Sequence, residues 1–88
     1  MDRTEAIRQR IQKALQPLTL EIRDDSAQHQ GHVGAAGGGG HYSVRVVSTE
    51  FVGLPLLARH RRVYAAVNDL MPAVIHALSI KALTPEEQ

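Results

Sequence analysis

Apolar positions Ile7, Ile11, Ala14 and Leu15 recur at i, i+4, i+7 and i+8 near the start of the chain. That spacing lays one apolar stripe along a helix and predicts a helix from Asp2 to Gln16. Asp2 and Glu5 stand at capping-box separation, with Asp2 in the cap role. Pro17 stops the helix, because proline lacks an N–H and clashes with the preceding turn. The rhythm then changes from 3.6 to 2. Leu18, Leu20 and Ile22 alternate with Thr19, Glu21 and Arg23, which predicts a strand over Leu18–Asp24 with one wet face. Tyr42, Val44 and Val46 alternate likewise with Ser43, Arg45 and Val47, a second strand over Tyr42–Ser48. After a turn at Gly53, Pro55 suits the first turn of a second helix. Leu56, Leu57, His60, Val63, Tyr64 and Val67 follow helical spacing there, and Arg59, Arg61 and Arg62 fall mostly off that stripe.

Met71-Pro72 breaks this helix, with Pro72 placed to open a short further helical turn. Ile75–Leu83 predicts a third strand, with His76, Leu78, Ile80 and Ala82 on one face and Ala77, Ser79 and Lys81 on the other. Thr84-Pro85-Glu86-Glu87 carries the signals of a new helix start. The predicted order is α-β-β-α-(α)-β. This is an α+β domain whose three-stranded mixed sheet has helices covering one face. The first two strands pair antiparallel. The second and third are joined through a helix and are most simply parallel, with a right-handed crossover. Residues 26–40 hold Gly31, Gly34 and the run Gly37 to Gly40, and read as a long flexible loop within one domain spanning residues 1–88.

Composition changes this picture in two ways. At 88 residues the chain has room for one core and little room for a deep enclosed active site. Only Phe51, Tyr42 and Tyr64 are aromatic, so the core must be aliphatic. There is no cysteine, which excludes disulfides, thiol nucleophiles and self-sufficient iron–sulfur ligation. There are also five histidines. Charge is balanced at a net +1, with no basic tail, and no apolar run is long enough to span a bilayer. The charged N-terminus lacks the apolar core of a signal peptide, so a soluble cytoplasmic protein is expected. The motifs of dinucleotide, P-loop, nucleophile-elbow and zincin enzymes are all missing, and no enzyme is expected.

The histidines therefore carry the candidate chemistry. His29 and His32 lie in the Gly-rich loop and His41 closes it. Spacing leaves two readings open: three solvated side chains, or a ligand-donating arm, since imidazole suits zinc, iron, copper and nickel. His76 has the parity of Leu78 and Ile80 but starts its strand. It is either a hydrogen-bonded core-edge residue or a ligand at the sheet's rim. His60, within the apolar stripe, reads as a packed residue. Arg59, Arg61 and Arg62 form a short basic cluster, either a solvated face or a contact for phosphate or an acidic partner.

Two stretches resemble a known family. FVGLPLLARHRRVY (Phe51 to Tyr64) resembles the BolA signature, an F-x-G lead-in followed by R-H-R-x-V-Y. IHALSIKALTPEE, from Ile75, resembles that family's closing strand. The first helix and LEIRDDS match in order and position. The resemblance implies a class II KH-like α+β fold and partnership with a monothiol glutaredoxin in a heterodimer. The pair would share a bridging [2Fe-2S] cluster, with glutaredoxin and glutathione giving the thiolates. The closing-strand ligand would be His76 and the loop ligand His29, with His32 and His41 as fallbacks. No cofactor is expected in the isolated, monomeric chain. The family's link to transcriptional regulation, stress response and morphology supplies the alternative, a DNA-binding regulator. KH domains grip phosphates with a GxxG loop, and the corresponding Asn68 to Ala73 has no glycine. A nucleic-acid role would fall to Arg59, Arg61, Arg62, Arg45 and Lys81.

Overall fold

The computed structural model describes residues 2–26 and 39–88. Helix α1 spans Arg3–Leu15. The Asp2 carboxylate accepts from the Thr4 backbone N–H at 2.8 Å, satisfying one of the donors left over at a helix start. Glu5 takes no reciprocal part and lies 3.5 Å from Arg8 instead. Gln16 closes the helix in the left-handed region (φ 45°), its N–H bonded to the Gln12 carbonyl, and Pro17 follows. Ile7, Ile11 and Leu15 are the helix's fully buried face. Each such side chain contributes about 1.5–3 kcal/mol of transfer free energy.

Strands β1 (Thr19–Asp24) and β2 (Gly40–Val47) pair antiparallel, and β2 pairs parallel with β3 (Ile75–Leu83), giving the sheet order β1-β2-β3. Both pairings match the sequence reading. A parallel pair needs a crossover, and α2 (Leu56–Val67) supplies it. Both helices pack on one face of the sheet, α1 against β1 and α2 against β3, and on each other. Tyr42, Val44, Val46, Phe51, Val63, Val67 and Ile75 complete the core between these layers. Leu18 lies outside β1 and is 65% exposed. Residue 40 belongs to β2, so the loop predicted over 26–40 ends earlier than expected, and residues 27–38 lie outside the described residues. The further turn predicted after Pro72 comes before it, as a 3₁₀ turn at Asn68–Leu70, and Met71-Pro72 is a cis peptide.

Helix α2 departs most from expectation. Its inward stripe is Arg59, Val63 and Val67, whereas Leu56, Leu57 and Tyr64 are exposed and His60 is half-buried. Arg59 takes a core position because its donors are met inside the fold. Nε bonds the Leu54 carbonyl at 2.8 Å, and Nη1 bonds the Ala82 carbonyl at 3.1 Å and Glu87 Oε1 at 2.6 Å. Glu87 sits in the 3₁₀ turn Pro85–Glu87, where Oε1 also accepts the Thr84 backbone N–H at 2.7 Å. Tyr64, one turn further along α2, donates its hydroxyl to the Leu78 carbonyl at 3.2 Å.

The fork from Arg59 and the Thr84 N–H hold the Glu87 carboxyl down to about 2. A depressed carboxylate adds stability above its unfolded value and loses it as pH falls toward the folded one. Acid unfolding should therefore steepen between about pH 4.5 and 2, and Glu87→Gln should flatten that limb, read by far-UV circular dichroism. Arg59→Ala should cost about 1–3 kcal/mol in urea unfolding, since buried carbonyls lose their donors.

Candidate functional site

Parallel pairing places the starts of β2 and β3 at the same end of the sheet, and antiparallel pairing brings the end of β1 there too. His41 and His76, the second residues of β2 and β3, meet at this rim. Their ring centroids are 5.1 Å apart, with the planes tilted by 51°.

His76 owes its position to a register break. Gly40 pairs with Ile75, but His41 pairs with Ala77, so β3 carries one extra residue at His76. Such a bulge re-aims side chains locally. Here it lets Ile75 stay fully buried while Leu78, Ile80 and Ala82 also face the core. His76 is exposed, and the core-face position that plain alternation gave it does not hold.

Glycine geometry holds this rim together. A Cβ on Gly39 would lie 2.7 Å from the Pro72 carbonyl oxygen and 2.8 Å from His76 Cβ. One on Gly40 would meet the Tyr42 ring at 2.6 Å. At these positions the Gly run answers a close approach of backbones, beyond the flexibility that its composition implied. The Gly40 N–H bonds the Val74 carbonyl at 2.9 Å. His41 is fixed from the other side: its N–H donates to Ser26 Oγ at 3.1 Å, and its carbonyl accepts the Asp25 N–H at 2.7 Å. Asp24 anchors the same turn by accepting the Ser26 N–H at 2.9 Å. Hydrogen bonds from Ser26, the side chain's first, hold the Asp24 carboxyl below its usual range. Asp25 bonds Arg23 at 2.6 Å and the Ser43 hydroxyl.

His29 and His32 lie outside the described residues. Among the described residues, no group of three His, Asp or Glu side chains is placed to hold a metal ion. The rim offers imidazole donors and the chain has no thiolate, so an iron–sulfur cluster held here would take one ligand from His76 and its thiolates from another molecule. Alternation puts His41 on the face opposite Tyr42 and His76 on the face of Leu78, so strand parity separates the two residues that the bulge brings together. Nothing in the sequence marked the bulge.

The basic residues divide. Arg59 is buried and committed to Glu87, so the basic cluster read from the sequence is not one surface. Arg62 pairs with Glu50 at 2.9 Å, and Arg61 is exposed. Arg45 and Lys81 lie on the helix-free face, as expected. With Glu21, Arg23 and Ser43 they line a shallow concavity of about 260 Å³. Arg45 lies 3.7 Å from Glu21.

Gly39→Ala should push the start of β3 away and destabilise the chain by about 1–3 kcal/mol, as overpacking does. The His76 amide should shift in ¹⁵N–¹H spectra. Gly53 is at φ +80° with nothing within 4 Å of an added Cβ, so Gly53→Ala should cost stability through backbone strain while leaving His76 unmoved.

Comparison with known proteins agrees with this architecture. The family model described as BolA-like protein matches residues 11–87. SufE-like protein 1 of Arabidopsis thaliana is 42% identical over 86 residues, covering 92% of this chain and 23% of that protein. BolA-like protein 1 of Bos taurus is 43% identical over 82 residues, covering 93% of this chain and 58% of its own. The chain thus spans under two thirds of the length of these relatives. The DNA-binding transcriptional regulator BolA of Haemophilus influenzae is 36% identical over 92% of this chain and 76% of its own. The solved BolA domain of SufE1 from Arabidopsis thaliana superposes with a TM-score of 0.86 at 40% identity, covering 100% of this chain and 98% of that one. The plant relative's name places it in chloroplast and mitochondrion, so the comparison lends no support to a cytoplasmic location. No helix among the described residues is long and apolar enough to cross a membrane. With both sequence motifs and the fold in agreement, this chain belongs to the BolA-like family.

Proposed function

We propose that this chain is a non-enzymatic adaptor that docks on a monothiol glutaredoxin and shares a bridging [2Fe-2S] cluster with it. The carrying observation is His76, turned outward by the β3 bulge at the rim of a chain that has no cysteine. Such a cluster takes four protein or thiol ligands. This chain supplies imidazoles only, so the thiolates come from glutaredoxin and glutathione. His76 gives one ligand and the residue 26–40 segment gives the other, His29 in first place, then His32, with His41 at the start of β2 as the remaining fallback. Imidazole ligation raises a cluster's potential relative to all-thiolate ligation. The chain's own residues fix the rim: Gly39 admits β3 closely, and Ser26 and Asp25 hold the His41 backbone. Mixing the chain with cluster-loaded monothiol glutaredoxin should change the visible circular dichroism, and His76→Ala should revert it. An unchanged spectrum with no complex on gel filtration would sink the proposal.

The Haemophilus relative's name and the concavity on the open sheet face favour a second reading, DNA contact through Arg45 and Lys81. Phosphate contacts are lost steeply with salt. Arg45→Ala with Lys81→Ala should then reduce the salt slope by about two. Retention that is independent of salt, or no retention at low salt, would count against this reading. Arg59→Ala is not a clean probe, because Arg59 is structural.

A further inference from the structure

We propose that His41 and His76 form a site for a single divalent late first-row metal ion in the isolated chain, with Cu²⁺ bound most strongly. The first ground is distance. A metal sits about 2.0–2.1 Å beyond an imidazole nitrogen, so two rings on one ion at tetrahedral or right-angle separation have centroids roughly 4.5–5.2 Å apart. The observed 5.1 Å falls within that interval.

The second ground is rigidity. Both histidines stand on paired strands rather than on a loop, so the backbone has little ordering left to do on binding. The His41 backbone is held on both its N–H and its carbonyl, and Gly39 packs against His76 Cβ. The β3 bulge is what brings the two rings to one side. Without the extra residue, His76 would keep the parity of Leu78 and turn toward the core.

The third ground is donor chemistry. Imidazole without thiolate suits copper, nickel and zinc, and affinity at a given nitrogen site rises from nickel to copper and falls again to zinc. Water fills the remaining positions.

Both ligands lie among the described residues and neither comes from a partner, so the site stands or falls independently of the cluster-sharing proposal. An ion held here engages the same His76 imidazole that a shared cluster needs, so the two uses exclude each other.

The test uses Cu²⁺ alone on the metal-free full chain, with no glutaredoxin. Substoichiometric Cu²⁺ should give one spectral species, with two imidazole nitrogens coupled to the copper in electron spin-echo modulation. His41→Gln and His76→Gln should each leave one coupled imidazole and weaken binding at least about tenfold, since even outer-shell changes at metal sites cost ~10–100-fold. The double variant His29→Gln with His32→Gln should bind as the parent does. In the unsubstituted chain, Cu²⁺ should broaden the amide signals around His41 and His76 first, a readout that does not depend on any variant folding. Broadening centred elsewhere, affinity unchanged by either single substitution, or affinity lost in the His29/His32 variant would each overturn the proposal.

Discussion

The parallel pairing of β2 with β3 is the constraint from which the rest of the molecule follows. It demands a crossover, which α2 provides, and so places a helix against β3. It also sets both strand starts at one end of the sheet, where antiparallel β1 terminates. Residues far apart in sequence become neighbours there without any dedicated pocket. One extra residue in β3 then decides which of them face outward. The core keeps Ile75 and Leu78 on one side of the bulge's kink, and His76 is the residue expelled.

Most of this architecture can be read from patterning, because patterning reports burial. The alternation of Tyr42, Val44 and Val46 predicts the inward face of β2, and the i, i+4, i+8 run of Ile7, Ile11 and Leu15 predicts that of α1. Pro17 and the bounds of β3 also fall where the residues place them. Alternation cannot report an inserted residue whose neighbours are apolar on both sides, so His76 is assigned to the wrong face. The pair it forms with His41 depends on that local break. His29 and His32 lie outside the described residues.

Helix α2 shows the other limit of patterning. An apolar count selects Leu56 and Leu57, yet the fold buries Arg59. An arginine is affordable inside only when its forked donors meet fixed acceptors, and here the acceptors come from Leu54, Ala82 and Glu87, which are distant in sequence or lie in a different turn. No local window contains that information. The same ion pair splits the basic cluster, leaving Arg61 and Arg62 outside while Arg59 ties the chain's last turn to the middle of the helix.

The two hydrogen bonds from α2 to β3 have one more consequence. β3 is an edge strand, and an edge strand offers its outward carbonyls to any extended chain that can align with it. The Tyr64 hydroxyl occupies the carbonyl of Leu78, and the Arg59 guanidinium occupies that of Ala82, four residues on. An incoming strand would have to displace a helix side chain at each. The margin of the sheet is thereby blunted against the addition of a further strand at two of its outward carbonyls.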